Sequence, residues 1–270
     1  MNDGMRHRIE SCTSSFHVRW MELLRDLPGN RCGVQVRRFA DDVVATAVTS
    51  TPDEQWMQHV SGLRDGDEAL VPKIAAWYHS LAIRPRYEIA PVAAFERLAL
   101  ALTDARAVQT AFLDALWSRA FEPSDEPVAG VEVRVVEPRS TDADVFARVL
   151  LGGHEVPDTA YTEHWAAAAT WCEEPEWWCY LACCDGEPLG AAVLVVDDGI
   201  GYLANASTLP RGRRRGCQRA LIDRRLRDAR RAGCELFVSL ATPFTTSHRN
   251  LERAGLTVAY TKTMWTVTGP

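Results

Sequence analysis

The apolar and polar positions of the chain are most sharply patterned after residue 130. VEVRVVEP (131–138) alternates as a strand does, and helices are predicted across 142–152 and 158–171. Three alternating runs follow, WWCYLACC (177–184), GAAVLVV (190–196) and GYLANAST (201–208), separated by Asp185-Gly186 and Asp198-Gly199 as hairpin strands are. Over 216–232 the spacing predicts a helix with Cys217, Ala220, Leu221, Leu226 and Ala229 on one face and its arginines turned to water. A strand (234–242), a short helix (246–255) and a last strand (257–267) complete this half. A meander therefore feeds one βαβ unit, and the expected fold class is α/β with parallel and antiparallel strands in one mixed sheet.

The pattern before residue 130 is coarser. A helix is predicted around 14–26, then strands VQVRRF and VVATAVTS on either side of Asp41-Asp42. EALVPKIAAWYHSLA places Leu70, Ile74, Trp77, Tyr78 and Leu81 on one helical face. RPRYEIAP reads as a strand, and 92–119 as one long apolar helix or a pair. RAFEPSDEPVAG (119–130), with two prolines, three acids and a glycine, is the linker candidate. Two domains are expected, 1–128 and 129–270, with Trp56, Trp77 and Trp117 in the core of the first or facing the second.

Composition narrows the function. The 270 residues carry a formal net charge of −6, unlike sequence-independent polyanion binders, so no nucleic-acid partner is expected. No apolar run approaches the roughly 18 residues of a membrane span, and the first residues lack the apolar core of a signal peptide. The eight cysteines form no C-x-x-C pair and have no histidine at zinc spacing. They are read as buried, reduced thiols of a cytoplasmic protein without a metal.

Against this acidic background TLPRGRRRGCQRALI (208–222) stands out, with four arginines in five positions, 211 to 215. A strand ends, the loop carries Gly216, and a helix begins. Unpaired N–H groups and the dipole at a helix start attract phosphate, and arginines add charge-assisted bonds. A solvated basic loop and a nucleic-acid contact remain open alternatives. The spacing is neither a P-loop nor a dinucleotide fingerprint.

Arg213-Arg214-Arg215-Gly216-Cys217-Gln218 resembles the coenzyme loop [Q/R]-x-x-G-x-[G/A] of the GNAT family of acyl-coenzyme A N-acetyltransferases, with Gln218 in place of the last small residue. The element order of 131–267 is similar to that family's, and RNLERAGLTVAYT resembles its C-terminal helix-to-strand segment. The resemblance implies an acetyl-CoA-dependent N-acetyltransferase. The backbone of Ala206, Ser207, Thr208 and Leu209 would pair with the pantetheine arm. The N–H groups of Arg214, Arg215, Gly216, Cys217, Gln218 and Arg219 would hold the pyrophosphate. Arg213 and its neighbours would reach the 3′-phosphate.

The same resemblance implies direct attack of an amine on the thioester, without a covalent enzyme intermediate. The family often places a tyrosine four residues before the glycine as general acid; here that position is Leu251. Tyr260 is the stand-in, with a core or interface tyrosine as the alternative. His154 and Glu155 are the candidate bases, with Tyr161, Glu163, His164 and Asn205 in the same sequence regions and water-relayed deprotonation as the other route. TWCEEPEWWCY (170–180) reads either as an aromatic, acidic mouth for a cationic amine or as a turn with packed tryptophans. The first half has no such loop and resembles the non-catalytic N-terminal domains of tandem GNAT proteins. The expected acceptor is a small-molecule amine, and the expected state a monomer or homodimer. The alternatives are an acyl-CoA sensor or scaffold without turnover, and a protein or peptide N-acetyltransferase.

Overall fold

The computed structural model describes residues 3–54, 56–92, 95–120, 127–155 and 162–267. In chain order the elements are α1 (Asp3–Arg25), β1 (Val34–Arg38), β2 (Val44–Val48), β3 (His59–Ser61), α2 (Val71–Ser80), β4 (Arg86–Ile89), α3 (Phe95–Asp104) and β5 (Ala107–Ser118). They continue as β6 (Val131–Val135), α4 (Thr141–Gly153), α5 (Thr162–Thr170), β7 (Trp177–Cys184), β8 (Glu187–Asp197), β9 (Ile200–Thr208), α6 (Cys217–Arg231), β10 (Leu236–Ala241), α7 (Thr246–Arg253) and β11 (Thr257–Val267). The fold is mixed α/β.

Two compact units result, and they do not divide at 128/129. The first comprises 1–115 together with 259–270, and the second 116–258. Most of β11 thus belongs with the first half of the chain, where the strand order is β1-β2-β3-β4-β11-β5. Thr263 to Thr266 pair antiparallel with Ile89 to Arg86. Part of the expected linker, 121–126, lies outside the described residues.

The stretch expected to be helical over 92–119 changes structure at Arg106. Helix α3 closes with Arg106 in the left-handed region (φ 61°), and β5 follows. Ala and Leu fit either period there, so the β-prone Val108, Thr110 and Phe112 and a place beside β11 decide it. The core of the first unit gathers Val60, Ile74, Tyr78, Tyr87, Leu98 and Trp265.

In the second unit the order is β10-β9-β8-β7-β6, an antiparallel meander with one parallel strand added by the α6 crossover. Leu194, Leu221 and Leu226 are fully buried at its centre with Tyr180, Phe237 and Leu251. Each such leucine contributes roughly 1.5–3 kcal/mol of burial. Trp171 and Trp177 are buried edge to face, their rings 5.6 Å apart, and Glu173 bonds Arg139 at 3.0 Å. The stretch 170–180 therefore packs as a turn, and its buried tryptophans form no open aromatic mouth. All eight cysteines are buried.

Candidate functional site

The second unit opens along β9. Its ladder with β10 consists of three parallel pairs and ends at Val238 opposite Tyr202, whereas β9 runs on to Thr208. On the other side β9 stays paired with β8, but the register shifts: Ala192 faces Ala206 and Val193 faces Ala204, leaving Asn205 as the extra residue of a bulge. A bulge bends its strand and strengthens the local twist, which turns the end of β9 away from β10. Just beyond the last pair, the Ser239 hydroxyl donates to Leu203 O at 2.9 Å.

Arg225 of α6 supports the bulge from beneath. It is 2 % exposed, and its Nη1 donates to Val193 O at 3.0 Å and to Ala204 O at 2.9 Å, the carbonyls flanking the register shift. Its Nε donates to Leu221 O at 3.1 Å. Burial lowers the guanidinium pKa to about 10, so it stays charged at neutral pH. The arginines of this helix were expected to face water. Arg225 does not, because it falls one turn after Leu221 and one before Ala229, inside the apolar stripe.

The loop after β9 provides the second half of the site. Arg214 (φ 64°) and Gly216 (φ 90°) are left-handed, a backbone that turns successive N–H groups toward one side. A Cβ on Gly216 would also stand 2.5 Å from a Val128 methyl. Among the described residues, the N–H groups of Arg214 to Arg219 have no backbone acceptor; the first to find one is Ala220, bonding Gly216 O at 3.0 Å. Gln218 ties this turn to the end of β9 through Thr208 Oγ1 at 3.0 Å.

The arginines lie among exposed carboxylates. Arg211 bonds Glu187 (2.8 Å), Arg213 bonds Glu155 (2.7 Å) and Arg215 bonds Asp185 (2.5 Å). Such exposed pairs hold under about 1 kcal/mol each, so an incoming phosphate displaces the carboxylates at small cost. Cys217 takes part only through its N–H. Its thiol is buried 3.5 Å from that of Cys184, and burial pushes its pKa up to about 12.

The four β9 residues expected to pair with an extended ligand separate into two groups. Ala206, Ser207 and Thr208 are paired with β8 and have no β10 partner. Leu209 is different: its N–H donates to Leu189 O and its C=O accepts from Gly212, both at 2.8 Å, so its backbone groups are already engaged.

Helix α4 brings His154 and Glu155 to the same place. Ser207 Oγ donates to Leu150 O at 2.7 Å, and a Cβ on Gly153 would be 2.3 Å from Ser207 Oγ. The helix thus ends on β9 only because Gly153 has no side chain. His154 is the next residue; it is exposed, yet the protein around its ring lowers its pKa by desolvation. Glu155 turns back to Arg213. His164 is buried on α5, and Tyr161 lies outside the described residues.

Neither position considered for the general acid offers a proton at this site. Leu251 is buried in the core on α7. Tyr260 belongs to the first unit, where its hydroxyl donates to Glu10 at 2.5 Å. Burial and the Glu10 carboxylate raise its pKa far above that of a free phenol, so its proton is held rather than offered. Among the described residues, no group of three His, Cys, Asp or Glu is placed to hold a metal, and no helix is long and apolar enough to cross a membrane.

Residues 150–256, which span the bulged strand, the loop and the helix behind it, match the acetyltransferase (GNAT) family profile. The chain contains a GNAT-family acetyltransferase domain. Its fold recurs in solved structures over nearly the full length. A GCN5-related N-acetyltransferase from Kribbella flavida aligns with a TM-score of 0.65 at 17% identity, covering 97% of this chain and 95% of that one. A tandem GNAT protein from the clavulanic acid biosynthesis pathway aligns at 0.61 and 12%, covering 95% and 96%. A GCN5-related N-acetyltransferase from Sphaerobacter thermophilus aligns at 0.60 and 15%, covering 96% and 89%. At these identities the likeness is one of fold. No curated protein sequence matches the chain.

Proposed function

We propose that the GNAT domain transfers the acetyl group of acetyl-CoA to the amine of a small molecule, by direct attack and without a covalent enzyme intermediate. The observation that carries this reading is the continuity of one strand, loop and helix. The unpartnered edge of β9 runs directly into a helix start whose N–H groups from Arg214 to Arg219 are unspent among the described residues. An amide-bearing arm suits the first and a pyrophosphate the second. The first unit is read as a degenerate copy without a coenzyme loop.

In the reaction the amine nitrogen attacks the thioester carbonyl carbon, the C–S bond breaks, the nitrogen releases a proton to solvent as the amide forms, and the departing thiolate takes one from solvent. The attacking ammonium must first lose its proton. His154 is the base, because its lowered pKa keeps it neutral at pH 7 and able to accept. Glu155 orients Arg213 and is not assigned the proton. Tyr260 is not assigned the thiol's proton either. The reading without turnover, an acyl-CoA sensor, draws on Leu251 at the position where the resemblance leads one to expect an acid.

Calorimetric titration of acetyl-CoA tests the site. The parent chain is expected to bind, and Gly216→Glu, which adds a carboxylate and a side chain at a left-handed residue, to lose binding at least 100-fold. Equal binding by both would remove the cradle. Free-thiol release with an amine panel then separates enzyme from sensor. His154→Gln is expected to lower kcat/KM about 100-fold and to abolish an acid limb lying below pH 6.5. An unaltered profile would leave deprotonation to water.

A further inference from the structure

The first unit contains a cavity of about 450 Å³ between one face of α1 and the chain just beyond the carboxyl ends of β3 and β4. In open α/β sheets, the crevice beyond the carboxyl ends of parallel strands is where ligands bind. β3 and β4 are such a pair, joined through α2, with His59 opposite Arg86 and Val60 opposite Tyr87. We infer that this cavity is a binding site for a small polar molecule carrying a primary ammonium group.

Its wall is built around a buried charge network that the chemistry of the second unit does not use. Lys262, fully buried, bonds Glu88 at 2.6 Å and Glu10 at 2.9 Å. Glu10 also accepts from Tyr260, and His59 lies 3.2 Å from the other oxygen of Glu88. Burial alone would pull Lys262 down, but the two carboxylates more than offset it and hold the ammonium charged. Burial likewise raises Glu88, and Lys262 and His59 outweigh that, keeping it ionised. As a stability device such a network is poor, since apolar packing of the same volume does as well or better.

The hydrogen-bonding groups that reach the cavity select the ligand. Glu10 and Glu88 both line it, whereas Lys262 and Tyr260 stand behind them. Both bonds to the Glu10 carboxylate use Oε1; among the described residues Oε2 has none. Ser11, Ser14 and Ser15 continue the same helical face past Glu10. The four arginines of the lining each have a partner: Arg6 with Asp3 at 3.4 Å, Arg19 with Glu22 at 3.8 Å, Arg64 with Asp42, and Arg38 with Asp41 O at 3.5 Å. Open acceptors on the inner wall suit a ligand that donates. A carboxylate wall favours one whose donors are charged. This site lies within the first unit and does not rest on the coenzyme reading.

The test uses the full chain and two matched probe pairs, 1,4-diaminobutane against 1,4-butanediol and glucosamine against glucose, titrated by calorimetry at neutral pH. Saturable binding of an amine, and not of its uncharged partner, is expected in the millimolar range or tighter. Glu10→Gln is expected to weaken it about tenfold or more. Ser15→Trp, a change at an exposed position outside the network, is expected to fill the cavity and block it, so the test survives if Glu10→Gln fails to fold. Gly216→Glu is expected to leave amine binding intact. Absence of saturable binding by both amines, indifference to Ser15→Trp, or loss in Gly216→Glu would each overturn the assignment.

Discussion

The two units use the same local frame, a strand, a loop, a crossover helix and a parallel strand, and differ in what becomes of the N–H groups in the loop. In the second unit the N–H groups of Arg214 to Arg219 are unspent among the described residues. In the first, the loop after β3 consumes its own. Arg64 N–H donates to Asp67 Oδ2 at 3.0 Å, Gly66 N–H to Glu68 Oε1 at 3.4 Å, and Leu70 N–H to Asp67 O at 2.8 Å. Pro72 then occupies the first turn of α2 and has no N–H to offer. Where one loop is rich in arginine, the other carries Asp65, Asp67 and Glu68. The difference between the open N–H groups of one loop and the closed turn of the other therefore lies in acidic side chains that satisfy the backbone locally. It does not require a different fold.

The largest effect that would erase this contrast is expected from Arg225→Met. Methionine fills much of the volume but leaves Val193 O and Ala204 O without their donor, at about 1–3 kcal/mol per orphaned carbonyl. Coenzyme affinity is expected to fall about tenfold or more as the bulge relaxes, with the acidic loop of the first unit unaffected. Segment-resolved hydrogen exchange, alongside calorimetry, checks both halves of that statement. If affinity held while β8 and β9 loosened, Arg225 would serve stability alone.

A smaller effect sharpens the comparison through pH. Burial, with His59 second, holds the pKa of His17 well below its ordinary 6.5, so the folded first unit keeps it neutral while the unfolded chain protonates it. Its contribution is present above pH 6.5 and is lost as pH falls toward the lower folded value. Glu88, held below its ordinary 4.5, has the same sign: its contribution is present above 4.5 and lost as pH falls through the folded value. Asp223 in the second unit is opposite, because burial raises it above 3.8 and protonation relieves the folded state. On acidification from pH 7 to 4, exchange protection is expected to decline in α1 and β2 before it declines in α6. Parallel decline in both units would contradict this, and His17→Asn should delay the loss in the first.

The second unit was readable because its strands alternate cleanly between Asp-Gly turns, so 177–184, 190–196 and 201–208 emerge close to their structural bounds. The Arg-rich loop was readable because a glycine at a helix start has few other reasons to be there. Three features were less visible. β3 has three residues, too few for any period to register. Arg225 sits at the spacing of an apolar stripe, a signal that its charge obscures. The reach of Glu155 to Arg213, across 58 positions of sequence, depends on Gly153 lying against Ser207 and leaves no mark in local pattern. The acidic loop of the first unit carries a trace in its spacing, since Asp67 and Glu68 lie within three residues of the N–H groups they accept from.

The placement of β11 has a consequence for synthesis. It stands between β4 and β5, so a nascent chain that has released its first 115 residues still lacks the middle of that sheet. The edges of β4 and β5 that β11 will fill must wait open while the entire second unit is translated. The half made first is thus the half finished last. A premature stop a dozen codons early would spare residues 150–256 and leave the facing edges of β4 and β5 in the first unit open, a template for pairing with other chains.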